Sequence, residues 1–154
     1  MSAAENRIAL DVGRVMLSPS PIYSKWVLEG NPIARNKLLS VSADGTASSY
    51  IWDCTAGRFN WFYEVEETIY VIEGGVVLRD ASGVVRRLRE GDSYFFAAGA
   101  HVEWHVEDYI RKFALIRTPL PRSLVLAKRG YRFLKRLLGG GGSANAAPAM
   151  IQNS

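Results

Sequence analysis

Short runs rich in Val, Ile, Phe, Tyr and Trp, broken at close intervals by glycine-containing turns such as Asp44-Gly45, fill the chain from Leu38 to Ile116. Many short strands with evenly spaced turns are typical of a sandwich or barrel, and not of alternating strands and helices. Closure into a barrel also avoids long exposed sheet edges. We therefore predict an all-β fold with an antiparallel barrel over residues 38–118.

The clearest predicted hairpin lies in the middle of this region. Residues 76–78 and 84–88 are apolar-rich runs, and the turn Asp80-Ala81-Ser82-Gly83 joins them. Gly83 can adopt a positive φ at little cost, as tight hairpin turns require. The two runs are therefore predicted to pair.

The N-terminal part of the chain has a different pattern. Residues 1–37 mix apolar and polar positions with three prolines, and no clean helical or strand period runs through them. We predict that this segment is an arm packed on the barrel.

The C-terminal part is predicted to begin with a helix. Pro119 and Pro121 end the strand pattern, and Ser123 is a candidate N-cap. The predicted helix, in residues 119–138, is amphipathic and basic, although Gly130 weakens it. Residues 139–154 begin with four glycines and offer little to pack, so we expect them to be disordered.

Composition places the chain among ordinary folded proteins, with 48% hydrophobic and 22% charged residues. The first residues contain charges and no long apolar stretch, which predicts neither a secretory signal nor a membrane-spanning helix. We therefore expect a cytoplasmic location. Cys54 is the single cysteine, so no internal disulfide can form, and we interpret it as a small buried residue rather than a nucleophile.

Charge is distributed unevenly along the chain. All fifteen acidic residues lie at or before Asp108, whereas six of the nineteen basic residues lie after Thr118. A basic amphipathic helix most often packs its apolar stripe on its own domain or on a partner subunit, and we favour that interpretation. Contact of residues 123–138 with an anionic membrane surface stays open as the alternative, and no nucleic acid partner is predicted.

Candidate pocket residues lie in one predicted strand and at the start of the strand that follows it. Alternate residues of a strand face the same side, so Phe59, Trp61 and Tyr63 share one face. Glu67 then opens an otherwise apolar inward row. A carboxylate in such a position is paired, binds a ligand or lies at the mouth of the barrel. We predict a pocket lined by Trp61, Tyr63 and Glu67.

A later strand alternates in the same way. Val102, Trp104 and Val106 share one face, while His101 and His105 share the other. We predict that Trp104 faces the pocket and that both histidines point away from it.

These residues resemble the two paired motifs of the cupins. The resemblance implies a double-stranded β-helix, or jelly-roll barrel, here with an N-terminal arm and a C-terminal amphipathic helix. It extends over about residues 25–117 and is closer to the small cupins grouped with the (S)-ureidoglycine aminohydrolase cupin domain. The segments that carry it are Gly30-Asn31-Pro32, Ile51-Trp52-Asp53-Cys54, Gly57-Arg58-Phe59, Trp61, Glu67, Gly74, Gly91-Asp92, Trp104 and Arg111-Lys112.

The resemblance also bears on metal binding and on assembly. Metal-binding cupins present two histidines and a glutamate in the first motif and one histidine in the second. Trp61, Tyr63 and Val102 stand at the three histidine positions, and Glu67 alone is kept. We therefore predict no tightly bound metal, while a divalent transition metal held by different ligands remains the alternative. The resemblance further implies a homodimer.

The leading hypothesis is a cupin that binds a small polar metabolite, of carboxylate or ureido type, through Trp61, Tyr63, Glu67, Trp104 and Lys112. If the protein is an enzyme, Glu67 is the candidate acid or base and Lys112 the electrostatic clamp. A purely structural Glu67, paired with a tyrosine or lysine, is equally compatible with the pattern. Two further hypotheses are a metal-dependent aminohydrolase that acts on a C–N bond and a non-catalytic interaction module that uses the basic helix.

Overall fold

The computed structural model describes residues 11–138 of the 154-residue chain. The chain divides after Pro119 into two compact units. The first ten residues of the predicted arm and the predicted disordered tail, residues 139–154, lie outside the described residues. The elements are β1 (Ser18–Pro19), a 3₁₀ turn (Ser24–Trp26), β2 (Val27–Gly30), β3 (Ala34–Val41), β4 (Ala47–Phe62), β5 (Glu66–Asp80), β6 (Val85–Arg89), β7 (Ser93–Phe96), β8 (His101–Arg117) and the helix α1 (Arg122–Leu138).

The strands form one antiparallel sheet in the order β1-β3-β4-β8-β5-β6. In addition, β2 pairs with β4 and β7 pairs with β5. The long strands β4, β5 and β8 make most of the pairings, and β8 lies between the other two. An all-β domain followed by a C-terminal helix is therefore confirmed.

Irregularities in the long strands bend the sheet around its core. The β4–β8 register shifts between Thr55 and Gly57, and the β5–β8 register shifts between Val71 and Glu73. Extra residues of this kind bend a strand and increase its twist. Accordingly, the first half of β4 pairs with β3 and its second half with β2, while β5 pairs first with β7 and then with β6.

The predicted hairpin is present as β5 and β6. Val76 lies opposite Leu88 and Leu78 opposite Arg86. The Asp80 carboxylate accepts hydrogen bonds from the backbone N–H groups of Ser82 (2.9 Å) and Val84 (3.0 Å). Gly83 has a φ of 86°, so the turn uses its glycine as expected.

The segment predicted as an arm contains part of the sheet. Strand β2 lies within this segment and strand β3 begins in it. The predicted boundary between residues 37 and 38 therefore falls inside β3. Arg35 and Lys37 on the outward face of β3 are exposed, whereas Ala34 is buried. A strand with one solvated face and few apolar inward residues has only a weak hydrophobic alternation.

Residues just before β1 are attached to the outer face of the barrel. The buried Arg111 side chain donates to the backbone oxygens of Val12 (3.1 Å) and Val15 (3.0 Å). Its guanidinium also lies 3.8 Å from the buried carboxylate of Asp53. Arg35 forms two hydrogen bonds with the same carboxylate, which is thereby satisfied away from water.

Helix α1 begins at Arg122, two residues before position 124, where an N-cap at Ser123 would place its first helical residue. The backbone N–H groups of Leu124 and Val125 donate to the Pro121 oxygen at 2.9 and 3.2 Å, so Ser123 lies in the first turn and is not the N-cap. Proline suits a helix start because the first N–H groups have no intrahelical partner. Within residues 11–138, no helix combines the length and apolar character needed to cross a bilayer.

Candidate functional site

A pocket of about 280 Å³ opens on the inner face of the sheet. Its walls come from β4, β5 and β8, with further side chains from β3 and from the segment after β1. Four of the five predicted ligand-binding residues are among its lining. The lining residues are Ser20, Asn36, Tyr50, Trp52, Phe59, Trp61, Glu67, Trp104, Lys112, Ala114 and Ile116.

The wall of this pocket contains a buried ion pair. The Lys112 ammonium donates a hydrogen bond to Oε1 of Glu67. Only 7% of the Lys112 side chain and 8% of the Glu67 side chain are exposed. Glu67 lies near the start of β5, and Lys112 comes from the neighbouring strand β8, where it lies opposite Trp52 of β4. A pair this deeply buried is stable only with close geometry and further favourable contacts.

Two indole rings supply such contacts. The Lys112 ammonium lies 5.0 Å from the Trp52 ring centroid and 4.9 Å from that of Trp104. The negative faces of aromatic rings attract cations, most strongly when the cation is shielded from water. The ammonium is therefore held between a carboxylate and two indoles, which restricts the positions it can adopt.

Trp61 forms part of the aromatic wall of the pocket. It is half-buried and makes edge contacts with Trp26, Trp52 and Phe59 at centroid distances of 5.6, 6.2 and 6.2 Å. Three neighbouring rings limit its rotamers, and the indole lines the pocket. A fixed aromatic surface of this kind suits a planar ligand.

Tyr63 lies behind the lining rather than in it. It is buried, its ring stacks on Phe96 at 4.3 Å, and its hydroxyl accepts a hydrogen bond from Nε1 of Trp104 at 3.2 Å. Tyr63 was predicted to contact the ligand, but in the structure it does not line the pocket and instead holds the Trp104 indole through this hydrogen bond. Alternation correctly assigns the inner face to Tyr63, but Phe96 and Trp104 contact this residue just after the end of β4, so it does not line the pocket.

Burial raises the pKa of the Tyr63 hydroxyl well above its ordinary value, and the negative charge of Glu67 acts in the same direction. The hydroxyl therefore stays neutral at physiological pH. It remains available as the hydrogen-bond partner that orients the Trp104 indole.

Several lining residues lie outside the predicted set. Trp52 and Tyr50 share one face of β4, and this alternation is visible in the sequence. What places them in the pocket is the register, in which Trp52 lies opposite Lys112 and Tyr50 opposite Ala114. Asn36 donates to the Ser20 hydroxyl at 3.1 Å, and both residues come from the segment predicted to be an arm.

The two histidines lie on the outward face of β8, as the alternation predicts. His101 is exposed, stacks on Phe62 at 4.4 Å and shares a hydrogen bond with Oδ1 of Asn60. His105 is half-buried on the same face, whereas Val102 and Trp104 are buried on the other.

The donor set does not fit the transition metal that the cupin resemblance implies. Among residues 11–138, no three His, Cys, Asp or Glu side chains lie close enough together to hold a metal ion. The Glu67 carboxylate is bonded to the Lys112 ammonium, and indole and aliphatic groups are poor ligands for divalent transition metals. A single carboxylate beside a fixed positive charge does not provide a first coordination shell.

Cys54 lies on the core face of β4 and is fully buried. Burial raises the pKa of its thiol to about 12, and the neighbouring Asp53 charge acts in the same direction. Since the thiolate is the reactive form, Cys54 fits a structural role better than a nucleophilic one.

Comparison with known proteins supports the fold. Residues 41–114 match the model of the EutQ-like cupin domain family. The structure of a DUF861-family protein of unknown function from Pseudomonas syringae pv. tomato is similar with a TM-score of 0.64 at 29% identity. The match covers 70% of this chain and 46% of that protein, so this chain spans less than half of its length.

Two more distant structures show the same fold. The EutQ protein of Clostridium difficile has a TM-score of 0.57 at 17% identity, with 71% of this chain and 86% of that chain covered. A putative ethanolamine utilization protein Q from Salmonella typhimurium has a TM-score of 0.50 at 20% identity, with coverage of 55% and 69%. No curated protein matches the sequence. The bent antiparallel strands, the similar structures and the family match over residues 41–114 together show a cupin fold.

Proposed function

We propose that the cupin domain binds a small polar metabolite, of ureido or carboxylate type, in the pocket formed around Glu67 and Lys112, and that it does so without a tightly bound metal. The observation that carries this proposal is the buried Glu67–Lys112 pair in a wall otherwise made largely of aromatic rings. An acceptor and a donor fixed side by side in an apolar cavity provide strong and directional hydrogen bonding.

The chemistry of the pair favours a ureido group over a carboxylate. An ammonium has three donors, of which Glu67 occupies one, and the second Glu67 oxygen remains an acceptor. A ureido group can donate N–H to this oxygen and accept at its carbonyl from Lys112. A ligand carboxylate can accept from Lys112 but is repelled by Glu67.

The walls and the size of the pocket agree with this ligand class. A volume of about 280 Å³ suits a compact metabolite. The half-buried Trp61 offers a flat surface on which a planar ureido group can stack. The motifs shared with small cupins of the (S)-ureidoglycine aminohydrolase type are further support for a ureido ligand.

Isothermal titration with three probes tests the proposal. N-carbamoylglycine carries ureido and carboxylate groups, N-acetylglycine lacks the terminal amine, and succinate has carboxylates only. We expect N-carbamoylglycine to bind at least about tenfold more tightly than the other two, which corresponds to about 1.4 kcal/mol. Prior dialysis against chelator should leave this affinity unchanged.

Two variants provide the comparison. Glu67→Gln should weaken binding of N-carbamoylglycine about tenfold or more, because it removes the acceptor charge. His101→Gln, on the outward face, is the matched control and should bind as the wild type does. Equal affinities for the three probes, or undiminished binding by Glu67→Gln, would show that the pair does not recognise the ligand.

A further inference from the structure

Helix α1 has two different faces, an apolar half and a basic half of its circumference, and both run along the helix. With 3.6 residues per turn, the large apolar side chains other than Val125 fall on about one half of the circumference. The basic side chains after Ala127 fall on the opposite half. The apolar set is Leu124, Leu126, Tyr131, Phe133, Leu134, Leu137 and Leu138, and the basic set is Lys128, Arg129, Arg132, Lys135 and Arg136.

Within its own unit, the apolar half of α1 is exposed. The exposed fractions of Leu126, Phe133 and Leu137 are 65%, 66% and 64%. Contiguous exposed apolar patches mark sites of interaction with a protein or a membrane. The apolar half therefore has a large area available for burial against a further surface.

The charges on α1 indicate what kind of surface its apolar half can bind. The chain has no acidic residue after Asp108, so the polar half of the helix is purely cationic. Pairing with α1 of a second copy would bring like charges together along both edges of the contact. An apolar face half the circumference wide also exceeds the narrow seam that coiled-coil pairing uses.

We propose that α1 is an interfacial membrane anchor that lies in the plane of an anionic lipid surface. Its apolar half enters the boundary between headgroups and acyl chains, and its Lys and Arg side chains extend outwards to the lipid phosphates. Tyr131 lies at the edge of the apolar half, where an amphipathic ring suits the headgroup level. This inference is independent of the ligand proposed for the pocket.

Vesicle co-sedimentation of the full chain tests the anchor. We expect binding to vesicles of phosphatidylcholine mixed with phosphatidylglycerol to be at least about tenfold stronger than binding to phosphatidylcholine alone, and to weaken as salt is raised. Arg132→Glu/Lys135→Glu should lose at least about tenfold in binding, because two attractive charges become repulsive. Phe133→Ser/Leu137→Ser should lose a similar factor, since it removes apolar area while keeping every charge.

The control variant changes net charge equally in the barrel unit. Lys25 and Arg86 are exposed there, so Lys25→Glu/Arg86→Glu should stay within about twofold of the wild type. Equal binding to both vesicle types, or an equal loss in the control, would overturn the proposal. It would also be overturned if the wild type ignored both vesicle types while light scattering showed a dimer that Phe133→Ser/Leu137→Ser abolished, because α1 would then bind a second copy.

Discussion

Replacement of Lys112 by methionine should lower the free energy of unfolding by about 3–5 kcal/mol. Methionine has a similar length and keeps contact with the indoles of Trp52 and Trp104. The loss therefore comes from the charge, because Glu67 would remain in the pocket wall without its ammonium partner. Urea unfolding followed by tryptophan fluorescence measures the change.

A double variant separates charge from packing. Glu67→Leu/Lys112→Met replaces both members of the buried pair by apolar side chains, and its stability should return to within about 2 kcal/mol of the wild type. A loss below about 1 kcal/mol in the single variant would mean that water reaches Glu67. The pair would then be an ordinary solvated salt bridge.

Gly74→Ala should destabilise the barrel by at least about 3 kcal/mol. Gly74 has a φ of 71°, in the left-handed region that costs other residues about 1–2 kcal/mol. A Cβ at this position would also collide with the backbone carbonyl of Tyr109 on β8. The two central strands would have to separate where β5 bends, and hydrogen bonds between them would be lost.

Gly83→Ala is the matched control, because it has the same kind of positive φ without the collision with a neighbouring strand. Gly83 has a φ of 86°, but a Cβ there would meet no atom within 4 Å. Its substitution should cost only the conformational part, about 1–2 kcal/mol. Equal losses for the two variants, measured by thermal unfolding, would show that the close approach of Gly74 to β8 contributes nothing.

Much of the barrel interior can be predicted from alternation alone. Residues such as Phe59, Ile69 and Trp104 are buried where a period of two places them, and the turn at Gly83 forms as its composition indicates. This works because each inward row is contiguous in sequence, so the local pattern records which side chains share a face.

The composition of the pocket depends on information that a local pattern does not contain. Trp52 meets Lys112 because β4 and β8, which are far apart in the sequence, pair in one particular register. A shift by one residue would reverse both faces. Alternation likewise does not show that Trp61 lines the pocket while Tyr63 is covered, because the residues that contact Tyr63, Phe96 and Trp104, come from other strands.

The N-terminal strands were hard to predict for a related reason. β3 pairs with β4 through its backbone, but its outward side chains include Arg35 and Lys37, which hide the strand pattern. Its inward Asn36 is polar, lines the pocket and donates a hydrogen bond to Ser20. A polar residue on the inner face therefore weakens the hydrophobic alternation by which β3 could be recognised.

A crystal structure of the full chain grown with N-carbamoylglycine would show whether the Glu67–Lys112 pair binds a ureido group. We expect the probe in the pocket beside Trp61, with a ureido N–H within hydrogen-bond distance of the Glu67 carboxylate and the ureido oxygen within that distance of Lys112 Nζ. A metal ion bound to Glu67 with Lys112 displaced, or the probe bound outside this pocket, would contradict it.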